Sequence, residues 1–115
     1  MARASTTSDV FNAVAETRRR EIIKLLSDGK QRSVGQLVEC LQLAQPAVSK
    51  HLGVLRTVGV VKVEHVGKER FYSLNHRALK PLHDWVQPFE RFWTSQLDRI
   101  KQRAEKKAAD RAAKN

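Results

Sequence analysis

The chain has 115 residues, enough for one domain with one core and little more. Its 22 Lys and Arg against 12 Asp and Glu give a net charge of +10, which points to a polyanionic partner, either nucleic acid or an anionic surface; the plainer reading is a basic surface that aids solubility. A single cysteine, Cys40, excludes an intramolecular disulfide, no apolar run approaches a membrane span, and "MARASTTSDV" lacks the apolar core of a signal peptide, so a cytoplasmic protein is expected.

Residues 1–7 are small and polar and are expected to be disordered. Ser8 can cap a short helix over "DVFNAVAE", with Val10, Phe11 and Val14 on one side. "TRRREIIKLLSDG" predicts a second helix. Its apolar stripe is Ile22, Ile23, Leu25 and Leu26, and Gly29 suits the left-handed residue near a helix C-terminus. Arg18, Arg19 and Arg20 occupy its first turn, the end where the helix dipole disfavours cations. They serve either a dimer salt bridge, a phosphate contact or simply a solvated face.

Ser33 and Gln36 have capping-box spacing, so a third helix starts at Ser33, with Val34, Leu37, Cys40 and Leu41 as its buried stripe. A buried Cys40 would be a small core residue with little redox reactivity. After "LQLA" a fourth helix begins at Gln45, with Pro46 in the first turn. Val48, Leu52 and Leu55 form its inner face, whereas Ser49, Lys50, Gly53 and Thr57 face outward. Two short helices joined by a tight turn read as a helix-turn-helix. The turn lacks the expected glycine, and Leu43 is the candidate anchor.

"VVKVEHV" and "ERFYSLN", joined by "VGK", predict a β-hairpin directly after the helix-turn-helix, which makes it a wing with Lys68 and Arg70 near its tip. The last third is helical. Leu82, Trp85, Val86, Phe89, Phe92, Trp93, Leu97 and Ile100 step by three or four and form one stripe, with Pro81 opening the helix and Pro88 kinking or splitting it. From Lys80 to Arg103 the helix would run about 35 Å, too long for so small a domain to cover its stripe alone. A dimerisation helix is the expectation. Residues 101–115 form a basic tail, either a fraying helix or disordered.

Three segments carry a resemblance: "AETRRREIIKLLSDG", "SVGQLVECLQLAQPAVSKHLGVLRTVGVV" and "VGKERFYSL", in this order and spacing, are similar to the ArsR/SmtB family of winged-helix transcriptional regulators over roughly residues 9–100. The resemblance implies a mainly helical winged helix-turn-helix with a small β-hairpin. It also implies a homodimeric repressor that binds double-stranded DNA, with the terminal helices forming the dimer interface. The residues then expected at the interface are Phe11, Val14, Trp85, Phe89, Phe92, Trp93, Leu97 and Ile100. A recognition helix in the major groove would use Gln45, Ser49 and Lys50 on base edges and Arg56 on phosphate, with His51 either a DNA ligand or a packing residue. Gly53 would let the helix backbone approach DNA, and Lys68 and Arg70 of the wing would meet phosphates or the minor groove.

Metal-sensing members of the family use paired cysteines on the helix before the recognition helix, where this chain has one thiol. A second family site on the last helix aligns with His76, Ala78, Phe89 and Phe92, three of which cannot bind metal. No metal, cofactor or catalytic constellation is therefore expected, and no effector is identified. Two rival readings keep the basic composition. One is a winged helix used for protein contact, which should show large apolar anchors on the outer face of residues 45–57. The other is a nonspecific basic nucleic-acid or membrane-surface binder driven by the tail.

Overall fold

The computed structural model describes residues 6–114. Helix α1 spans Thr6–Val14, α2 Thr17–Leu25, strand β1 Arg32–Ser33, α3 Val34–Leu41, α4 Gln45–Thr57, β2 Val61–Val66 and β3 Glu69–Leu74; a 3₁₀ turn at His76–Leu79 leads into α5, Lys80–Lys114. The chain divides into two compact units at Leu82 and His83. Residues 1–5 of the expected disordered start lie outside the described residues. Helix α1 begins at Thr6, two residues before Ser8, so Ser8 is not its N-cap.

The first unit is a helical core closed by a three-stranded antiparallel sheet in the order β1-β3-β2. Fully buried Ile22, Leu26, Leu37, Val48, Leu52, Leu55 and Val60 form its centre, with Val10, Ala13, Tyr72 and Leu74 around them. The inner face of α4 is the one expected from its spacing: Val48, Leu52 and Leu55 are all buried. Truncating any of them to alanine would cost about 2–5 kcal/mol for the leucines and somewhat less for Val48.

Local signals account for most boundaries. Ser33 and Gln36 close a reciprocal capping box at the start of α3: the Gln36 amide donates to Ser33 Oγ at 3.2 Å and the Ser33 amide to Gln36 Oε1 at 2.8 Å. The turn from α3 to α4 manages without glycine because Gln42 itself adopts the left-handed conformation, φ 55°. Its side-chain amide donates to Glu39 O at 2.8 Å, satisfying a carbonyl at the end of α3. Leu43, half-buried, packs against the core as its position suggested.

The hairpin pairs Val66 with Glu69 across a two-residue turn, Gly67–Lys68, with Gly67 at φ 62°. A glycine first in a two-residue turn suits the twist of paired strands. Asn75 fastens the base of the hairpin to the exit of α4, its amide donating to Val60 O at 2.8 Å and its side chain to Gly59 O at 2.9 Å. From Glu64 to Arg70 every residue is exposed, so the distal half of the wing stands clear of the core.

Four expectations need correction. Cys40 is exposed, not buried: the packed face of α3 is made by Val34, Leu37, Val38 and Leu41, and a residue three after Leu37 falls on its flank. Two of the three arginines at the start of α2 serve the helix before it, while Arg18 pairs with Glu21 at 3.1 Å. Arg19 Nε donates to Ala13 O at 2.6 Å and Arg20 Nη1 to Val14 O at 2.8 Å, so cations awkward for the α2 dipole complement the C-terminal carbonyls of α1. Pro88 does not split α5, which runs unbroken through it and on to Lys114, a length of about 52 Å. The sheet also has a third strand, β1, in which Arg32 pairs with Tyr72 and Ser33 with Phe71.

Strand β1 is braced by Arg32, whose guanidinium meets both carboxylate oxygens of Asp28 at 3.0 and 2.8 Å. This side-chain pairing, helped by the Lys30 backbone amide, holds the Asp28 carboxyl far below the ordinary carboxylate value. A carboxyl lowered by folding contributes stability above its unfolded pKa, near 4, and that contribution is lost as pH falls through the folded value. Urea unfolding across a pH series checks this. Asp28→Asn should be less stable than wild type at neutral pH and should lose less stability than wild type below about pH 4.

Candidate nucleic-acid interface

The exposed flank of α4, the first turn of α3 and the wing converge on a polar cleft of about 510 Å³. Gln45, Ser49, Gly53 and Arg56 line it from α4, Lys68, Glu69 and Arg70 from the wing, and Ser33, Val34 and Gly35 from the start of α3. The periodicity of α4 explains this wall. With Val48, Leu52 and Leu55 turned into the core, residues 45, 49, 53 and 56 fall along one adjoining strip. Three cationic side chains face the cleft, α4 supplies no large apolar anchor to it and Tyr72 of β3 is its one aromatic, so the wall fits an anionic groove-shaped partner better than a protein ridge.

Five of the seven residues proposed from sequence for DNA contact, Gln45, Ser49, Arg56, Lys68 and Arg70, are brought together here. Lys50 is exposed but does not line the cleft, since it lies further round the helix. His51 is turned the other way. Its side chain is only 18% exposed, with Nδ1 3.8 Å from Glu16 Oε2 and no hydrogen-bond partner among the described residues. The packing role is the one its surroundings give it. Glu16 caps α2 by accepting from the Arg19 amide at 3.1 Å. Desolvation pushes its carboxyl up, but the Arg19 and Arg18 backbone amides, with His51 and Arg19 charge, outweigh this and leave it below the ordinary value.

Gly53 has no internal reason to be glycine. It sits mid-helix, and a Cβ built on it would meet no atom within 4 Å. Glycine inside a helix costs about 0.5–1 kcal/mol relative to alanine, so the fold tolerates a cost for a bare strip on the cleft wall. Ser33 and Gly35, at the start of α3, were not singled out for this surface. Only the fold brings their turn against the wing.

A family model described as "Bacterial regulatory protein, arsR family" matches residues 16–63, the stretch from the α2 cap to mid-β2. Transcriptional repressor SdpR of Bacillus subtilis (strain 168) is 30% identical over 82 residues, covering 71% of this chain and 90% of that protein. HTH-type transcriptional regulator Rv2034 of Mycobacterium tuberculosis is 37% identical over 87 residues, covering 76% of this chain and 78% of its own length. The solved structure of reduced HlyU from Vibrio cholerae N16961 superposes with a TM-score of 0.61 at 31% identity, covering 73% of this chain and 87% of that one. The chain belongs to the ArsR family.

An ArsR-family chain is a DNA-binding regulator of transcription and not an enzyme, and the winged helix-turn-helix inferred from sequence is the fold it adopts. Among the described residues no three His, Cys, Asp or Glu side chains gather as a metal centre would require, and no helix is long and apolar enough to cross a membrane.

The interface residues expected from sequence fall in both units. In the first, Phe11 and Val14 are half-buried, and Phe11 packs against its own core. In the second, Trp85, Phe89, Phe92, Trp93, Leu97 and Ile100 share one face of α5 and are 46% to 69% exposed. Trp85 and Phe89 stack at a tilt, ring centroids 5.6 Å apart.

Substituting Gly53 by alanine separates fold from interface. The variant should gain about 0.5–1 kcal/mol in urea unfolding and bind DNA more weakly than wild type in a fluorescence anisotropy titration.

Proposed function

We propose that this ArsR-family protein is a homodimeric, cytoplasmic repressor that occupies promoter DNA with α4 in the major groove and the wing on the backbone or minor groove. The observation that carries the reading is the convergence of Gln45, Ser49, Arg56, Lys68 and Arg70 on one polar cleft beside the bare Gly53. Gln45 can offer its amide bidentately to adenine, a contact that discriminates by about 1–3 kcal/mol. Ser49 reads a base or a phosphate. Arg56, in the last turn of α4, faces the cleft it shares with the wing, where it would reach phosphate and position without specifying. Lys50 acts from the adjoining outer face on guanine or phosphate, and Lys68 and Arg70 hold the flanking backbone. His51 is excluded from this set by its inward orientation.

The stripe on α5 supports the dimer. Six large apolar side chains, exposed within the protomer, run about 23 Å along one helix face. Water contact over so long a stripe is unfavourable, and a second copy of the same helix is the partner of matching shape and chemistry. Two recognition helices per particle would then address two half-sites about one helical turn apart. Repression in this arrangement is occlusion of the promoter; the SdpR relative is itself named a transcriptional repressor.

The deciding titration uses DNA from the gene's own upstream region and a scrambled duplex of equal length, at several salt concentrations. Wild type should prefer the native duplex at physiological salt. Lys50→Ala should lose most of that preference, whereas Lys68→Ala should weaken both duplexes equally and lower the slope of log affinity against log salt by about one unit. Equal binding to both duplexes by the wild type would overturn sequence-specific recognition. Trp93→Glu should convert the dimer to a monomer in light scattering while leaving the far-ultraviolet spectrum helical.

A further inference from the structure

Helix α5 changes character at Ile100. Before it, one face carries the large apolar stripe; after it, no apolar side chain larger than alanine occurs, yet the helix continues to Lys114. Residues 101–114 therefore have no apolar face of their own to bury, and alanine propensity with the Lys101–Glu105 pair at 4.0 Å is the visible local support for the helix. What this segment does have is a sided charge. Arg103, Lys107 and Arg111 follow one another at i, i+4 and i+8, so they form a ridge with steps of about 6 Å. At 100° per residue this ridge continues the line of Trp85, Phe89 and Ile100. All three side chains are exposed, and none enters an ion pair recorded among the described residues. Glu105 lies on the other side with Lys101, and Asp110 borders the ridge.

We infer that Arg103, Lys107 and Arg111 form a second, sequence-independent DNA contact, in which the end of α5 lays a cationic ridge on the phosphate backbone. This rests on the reading of the protein as a DNA-bound dimer given above. Duplex DNA presents one negative charge about every 1.7 Å along its axis, so cations spaced about 6 Å apart find phosphates in any register. A ridge of long basic side chains, in a segment whose only apolar residues are alanines, offers charge without the apolar anchors a protein partner would need. The same face thus divides into an apolar part, which suits a second copy, and a basic part, which like-charge repulsion keeps from extending a parallel pairing of the two helices.

The test compares full-length wild type with the triple variant Arg103→Gln, Lys107→Gln, Arg111→Gln. Glutamine keeps helix propensity and removes charge. Affinity for the upstream duplex and the scrambled duplex is measured by anisotropy from 50 to 200 mM salt. With about 0.9 unit of salt slope per phosphate contact, the triple variant should lose two to three units of slope and at least about tenfold in affinity on both duplexes. The ratio between duplexes, the helical signal and the dimer mass should be unchanged. A control pair that keeps charge, Arg103→Lys with Arg111→Lys, should retain the wild-type slope. An unaltered slope in the triple variant would overturn the inference, as would a loss confined to the upstream duplex. Binding of wild type to vesicles with about a third phosphatidylserine, lost in the triple variant while the DNA slope stays the same, would reassign the ridge to a lipid surface and overturn it too. A wild type with no preference between duplexes but a charge-dependent slope would remove the recognition-helix reading and still support the phosphate contact.

Discussion

The rotation of α4 about its own axis is the constraint on which the polar cleft beside the wing depends. Val48, Leu52 and Leu55 are completely withdrawn from solvent, and no other roll of the helix buries all three. Once they are fixed, Gln45, Ser49, Gly53 and Arg56 have one place to point, and His51 another. The lining of the cleft is thus set partly by residues that never reach it. A core change that rolled α4 by one residue, about 100°, would replace the cleft-facing strip with a different set.

The wing is positioned with similar economy. Asn75 joins the end of β3 to the end of α4, and the β1–β3 pairing joins the sheet to the capping box that starts α3. The three walls of the cleft are therefore tied to one another by hydrogen bonds as well as by the common core. Polar groups left over at one element's end are repeatedly satisfied by its neighbour: Arg19 and Arg20 close α1, and Glu16 opens α2. Such exchanges let short helices of eight or nine residues, marginal alone, hold defined ends.

What could be read from the sequence follows from this division. The α4 stripe, the Ser33–Gln36 box and the Gly67 turn are encoded within one or two helical turns or one hairpin, and spacing alone exposes them. The rest requires knowledge of partners distant in the chain. Strand β1 is two residues long and exists only because β3 lies beside it. Gln42 adopts a glycine's conformation because both flanking helices are anchored, which no local preference reports. The role of Arg19 depends on where α1 ends, and the roles of Cys40 and His51 on which side of a helix its neighbours cover. The gathering of Gln45, Ser49, Arg56, Lys68 and Arg70 on one side of the unit was legible because a helix-turn-helix with a wing fixes their approximate placement; the contribution of the α3 start to the same cleft was not, because it arises from packing between elements.

The distribution of aromatic residues has a practical consequence. Both tryptophans of the chain, Trp85 and Trp93, stand on the exposed face of α5, whereas the core of the first unit contains the single tyrosine, Tyr72, and no tryptophan. Intrinsic tryptophan emission is consequently an optical gauge of whether the α5 face is wet or covered. Indole emission thus reports on the α5 face, and phenol absorption on the core of the first unit.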